Sequence, residues 1–85
     1  MKIQLYTKDN CHYCDSAKNL LKRNNISYEE FKLGINFMRE HLLEQYPTAR
    51  TFPVVVVDGW FLGGAMELTE HLAKLNEPRQ LLTEG

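Results

Sequence analysis

Lys8-Asp9-Asn10-Cys11-His12-Tyr13-Cys14 holds both cysteines of an 85-residue chain. Two cysteines placed at random in so short a chain fall three apart in roughly a few per cent of cases, so the Cys-x-x-Cys spacing already favours a purpose. A short apolar run, Ile3 to Tyr6, leads into the motif, and a helical pattern follows from Ala17. The motif therefore sits where the C-terminal end of a strand turns into a helix. First-turn N–H groups of a helix lack intrahelical acceptors and favour an anion beside them. Cys11 is placed to be that anion, because helix N-termini, a nearby lysine and Cys-x-x-Cys pairing all lower a thiol pKa, and Lys8 and His12 push the same way. Cys14, one turn further in, lies deeper and can close or open a disulfide with Cys11. Such a pair carries two electrons.

Blander readings compete with this one. The cysteines could be inert core residues. They could be half of a zinc site, but tetrahedral zinc wants a second ligand pair, and His41 and His71 have no x-x-His partner. A purely structural disulfide at this spacing closes too small a loop to add much stability.

Composition limits the function classes. The length suits a single domain, residues 1–85, with one small core. An apolar share of 44%, 25% charged residues and a net charge of -1 fit an ordinary globular monomer, not a nucleic-acid coat or a disordered chain. Without a signal-like N-terminal segment or a long apolar span, the expectation is a reducing cytoplasm and no membrane. There a lone Cys-x-x-Cys is catalytic or metal-binding more often than structural.

The remaining elements are read outward from the motif. Lys2 to Tyr6 is expected as a central strand. His12 to Asn25 is a helix with an Ala17, Leu20, Leu21 stripe, basic residues near its end, and Asn24-Asn25 to stop it. Ile26 to Leu33 is a weaker, peripheral strand ending at Gly34. Ile35, Met38, Leu42, Leu43 and Tyr46 recur at helical spacing, which predicts a helix over 35–46 with Met38 and Tyr46 in the core, Arg39 facing out and His41 solvated. Val54 to Val57 carries the strongest strand signal and belongs at the centre of a sheet. Asp58-Gly59 supplies a tight hairpin turn into an antiparallel strand, Trp60 to Leu62. After Gly63-Gly64, the stripe Ala65, Leu68, Leu72, Leu75 predicts a last helix ending near Asn76, and the tail beyond Pro78 shows no pattern.

The order β-α-β-α-β-β-α gives a mixed four-stranded sheet with three flanking helices. A redox Cys-x-x-Cys after its first strand points to a thioredoxin-like α/β fold. Four segments then resemble the glutaredoxin family across nearly the whole chain. Lys8 to Cys14 resembles its dithiol active-site segment, Arg50-Thr51-Phe52-Pro53 its Thr-Val-Pro segment, Val54 to Gly59 the strand and turn that follow, and Gly63-Gly64 with Glu67-Leu68 its Gly-Gly segment before the last helix. His12 stands where the family usually has proline, and Met66 where many relatives carry a small polar or acidic residue.

The resemblance implies a glutathione-dependent thiol–disulfide oxidoreductase in which Cys11 attacks and Cys14 resolves. It implies a cis Pro53 that turns the backbone of Phe52 toward Cys11, where it can pair with an extended peptide. Lys8 and Arg50 are then expected to meet glutathione carboxylates, with Thr51 and Tyr13 walling the groove. The helix N-terminus at Gly64 and Ala65 is expected to hold the γ-glutamyl carboxylate, and Glu67 to pair with the ligand's amine. Partners implied are disulfide-bearing or glutathionylated proteins. Two alternatives stay open: a carrier of a [2Fe–2S] cluster held by Cys11 of two protomers with glutathione thiols, and a thioredoxin-like donor serving one enzyme such as ribonucleotide reductase.

Overall fold

The computed structural model describes residues 2–49 and 51–75. Four strands and three helices follow in the order β1 (Ile3–Thr7), α1 (His12–Arg23), β2 (Tyr28–Lys32), α2 (Arg39–Gln45), β3 (Val54–Val57), β4 (Trp60–Gly63) and α3 (Ala65–Leu75). The sheet runs β2-β1-β3-β4. β1 pairs in parallel with β2 and antiparallel with β3, while β3 and β4 form an antiparallel hairpin with an irregularity between Val55 and Val56. The thioredoxin-like arrangement expected from the element order is the one observed. The tail beyond Pro78 and Arg50 lie outside the described residues.

Alternation along the two central strands splits the core in two. Ile3, Leu5 and Val55 face Ala17 and Leu21 of α1 and Leu68 and Leu72 of α3. Val54 and Val56 face the other way, onto Leu42 of α2 and Ala49, with Tyr6, Phe37, Tyr46 and Phe52 packed around them. An unbroken valine run is therefore what a strand covered on both faces requires.

α1 ends two residues before Asn25. Asn25 takes a positive φ of 57°, its N–H reaches the carbonyl of Lys22 at 3.1 Å, and the N–H of Ile26 reaches that of Leu21 at 3.0 Å. These bonds satisfy the last carbonyls with a left-handed residue, which asparagine tolerates. The hairpin turn has positive φ at both Asp58 and Gly59, as its twist demands. Asp58 also accepts a hydrogen bond from the N–H of Lys2 at 2.7 Å, which ties the turn to the start of β1.

The second helix corrects the sequence reading. It starts at Arg39, not Ile35. Asn36 Oδ1 accepts the N–H of Lys32 at 2.9 Å, Gly34 has a φ of 87°, and Leu33 bridges Phe37. This local turn offers the backbone an alternative to the helix, so the apolar stripe overruns the real boundary. Ile35 and Met38 are consequently exposed, and Met38 is not a core residue, whereas half-buried Tyr46 does pack against the core.

Candidate active site

β1 ends at Thr7 and delivers the chain to the motif. Thr7 is buried, and its hydroxyl donates to Glu30 Oε2 of β2 at 2.7 Å. Lys18 Nζ of α1 reaches the same oxygen at 3.2 Å. The Thr7 hydroxyl foremost, and Lys18 besides, hold the Glu30 carboxyl below its ordinary range against the opposing effect of burial. Beside it Asp9 pairs with Lys32 Nζ at 2.6 Å, which raises the lysine's pKa. Strand ends, helix and motif loop are thus laced together behind the cysteines.

Asn10 turns the chain through a φ of 54°, and Cys11 becomes the N-cap of α1. Cys11 Sγ accepts the N–H of Cys14 at 3.2 Å and is joined to Cys14 by a disulfide, with the two Cα atoms 5.2 Å apart. Cys11 is 9% exposed and Cys14 only 1%, so an incoming sulfur meets Cys11 first. On reduction the Cys14 N–H aimed at Sγ and the positive end of α1 stabilise a thiolate at Cys11.

A cleft of about 430 Å³ opens at this sulfur, lined by Lys8, Asn10, Cys11, His12 and Tyr13 of the motif segment and by Arg39, Thr51 and Phe52 from later in the chain. Lys8 Nζ and Arg39 Cζ lie 5.8 and 5.7 Å from the centroid of the Phe52 ring, within cation–π range. The Phe52–Pro53 peptide is cis. A neighbouring cleft of about 270 Å³ shares Thr51 and is lined by Gly63, Gly64 and Glu67 among others. There Glu67 Oε1 accepts the N–H of Gly64 at 2.7 Å, so its carboxylate lies on the start of α3 and not free in the groove. Among the described residues no group of three or more His, Cys, Asp or Glu side chains is placed to hold a metal ion. No helix among them is long and apolar enough to cross a membrane.

The family model for glutaredoxin matches residues 3–62, from the first strand to the hairpin. This chain belongs to the glutaredoxin family. With its Cys11–Cys14 pair, this glutaredoxin is a thiol–disulfide oxidoreductase. It is 32% identical over 87 residues to glutaredoxin 1 of Rickettsia conorii, covering 91% of this chain and 84% of the relative. Its fold matches the crystal structure of Francisella tularensis glutaredoxin 1 complexed with cacodylate, with a TM-score of 0.73 at 25% identity over 91% of this chain and 98% of the other. A structure described as the thioredoxin-like protein BC3987 matches with a TM-score of 0.71 at 36% identity, over 86% of this chain and 97% of the other.

Of the residues expected from sequence, the fold brings Lys8, Tyr13, Thr51 and Phe52 to the cleft that opens on Cys11. Gly64 and Glu67 lie on the adjoining cleft, Ala65 begins α3, and Pro53 is buried beneath. Arg39 is the residue that sequence reasoning missed, having assigned it to an outer helix face. Gly34 and Asn36, both turn formers, were the signal that the helix begins late and turns Arg39 toward the cleft.

Proposed function

We propose that this glutaredoxin draws its electrons from glutathione and reduces both protein disulfides and glutathione mixed disulfides. The observation that carries the reading is the pair of cations, Lys8 and Arg39, both beside the Phe52 ring in a cleft that opens on Cys11. Among the described residues no carboxylate lines that cleft. Glutathione is a short extended peptide with two carboxylates. One suits Lys8 and Arg39, with the peptide running along Thr51, Phe52 and Pro53 and against Tyr13. The other suits the N–H groups at Gly64 and Ala65, once Glu67 yields its place.

In the reductive cycle the Cys11 thiolate attacks a substrate sulfur and releases one thiolate, which takes up a proton. Cys14, losing its own proton, displaces the second substrate sulfur and leaves the Cys11–Cys14 disulfide. Two glutathione molecules then reduce that disulfide and leave as glutathione disulfide. A glutathionylated substrate needs only Cys11, which accepts the glutathionyl group and passes it to a second glutathione.

The test is turnover of a small glutathione mixed disulfide, coupled to glutathione reductase and NADPH. Wild type and Cys14→Ser are expected to turn over and Cys11→Ser to be inert; reduction of a protein disulfide is expected to be lost in both variants. Inactivity of the wild type would overturn the glutathione reading. The 36% identity to a thioredoxin-like protein favours a second reading, in which a flavoprotein thioredoxin reductase recycles the pair. NADPH oxidation with that enzyme, but not with glutathione and its reductase, selects it.

A further inference from the structure

A second cleft, of about 350 Å³, is also walled by Phe52. That volume sits at the lower end of the roughly 300–1,000 Å³ typical of ligand pockets. Arg39, Thr51 and Phe52 line both this cleft and the one that opens on Cys11, so the two adjoin along these three residues. Its lining is otherwise Leu42, Leu43, Pro47, Ala49 and Val54. Leu42, Ala49 and Val54 belong to the core and form a fixed apolar floor, whereas Leu43 is 41% exposed at the rim. Arg39 is the one charged group among the described lining residues, and no carboxylate lines either cleft among them.

Glutathione, built from Glu, Cys and Gly, has no side chain that suits such a floor. A polypeptide whose disulfide lies against Cys11 continues past its cysteine in the groove and can supply one. We propose that this cleft is the subsite through which the enzyme selects polypeptide disulfides, taking an apolar side chain adjacent to the substrate cysteine while Arg39 pairs with an acidic neighbour. The proposal rests on the Cys11–Cys14 chemistry and not on glutathione as the reductant. The chemical step is unchanged: two electrons pass from the Cys11–Cys14 dithiol to the peptide disulfide, the protein ends as its disulfide, and the two peptide thiolates take up the protons.

The experiment uses the full chain, pre-reduced and freed of reductant, in single turnover against two disulfide-linked peptide dimers. Both carry an acidic residue near the cysteine; one has leucine on each side of it and the other serine. A matched apolar group in a pocket is worth about 10–200-fold in discrimination, so the leucine peptide is expected to react at least tenfold faster. Leu43→Ser, a change at an exposed position, is expected to remove most of that preference while leaving the turnover of a glutathione mixed disulfide unchanged. Equal rates on the two peptides in wild type, or a Leu43→Ser variant slowed alike on every substrate, overturns the proposal. A wild type that prefers the leucine peptide yet fails to turn over glutathione mixed disulfides keeps this subsite and loses the glutathione reading.

Discussion

Thr7→Val separates the hydrogen bond behind the motif from the packing around it. Valine keeps the shape of a side chain that is 1% exposed and removes only the hydroxyl that donates to Glu30 at 2.7 Å. A hydrogen bond to a charged group contributes about 1.5–3 kcal/mol. The Glu30 side chain is 32% exposed and keeps Lys18, so water replaces part of the loss. The expected cost is therefore about 1 kcal/mol, which in a domain of this size lowers Tm by roughly 4–8 °C.

The sign of the pH dependence follows from Glu30. Its folded pKa is depressed below the ordinary 4.5, so its contribution is fully present above that value. The contribution is lost as pH falls through the lowered folded value. Thermal melts of wild type and Thr7→Val should differ by the full amount at neutral pH and converge once Glu30 is protonated. A difference of the same size at both ends of the range would mean that the valine disturbs packing, and the account of the hydrogen bond would be wrong.

Four further substitutions have expected outcomes. Arg39→Ala should raise the KM for glutathione about fivefold with a smaller change in kcat, since a partly exposed charge pair is worth at most about 1 kcal/mol; steady-state kinetics with an unchanged KM would return Arg39 to the surface. Glu67→Gln should lower that KM about two- to threefold by weakening the competitor on the Gly64 N–H, whereas a higher KM would mean that Glu67 pairs with the ligand's amine. Gly59→Ala, at a φ of 86° in open space, should cost about 1–2 kcal/mol. Gly63→Ala should cost more, because its Cβ would meet Glu67 Cγ at 2.6 Å and displace that side chain as well; urea midpoints rank the two.

Much of this protein is legible in local chemistry. The valine run required a strand buried on both faces, Asp58-Gly59 required left-handed backbone, and Cys-x-x-Cys at a strand-to-helix junction required a thiol at a helix N-terminus. Each depends on residues within a few positions of one another, so the chain alone determined the fold class and the reactive pair. The start of α2 was less legible, because an apolar stripe and an asparagine turn compete for the same residues and the stripe is the louder signal.

The cleft around the pair was decided in three dimensions. Lys8, Arg39 and Phe52 lie far apart in sequence, and only the packing of α2 over β3 and the loop before it brings both cations to one ring. The resting place of Glu67, by contrast, is local, three residues on from the N–H it caps. A carboxylate that the sequence leaves available to a ligand finds the Gly64 N–H as the last helix begins, because an uncapped helix start is a nearby donor that needs an acceptor. Sequence set which groups can react, and packing set which of them meet.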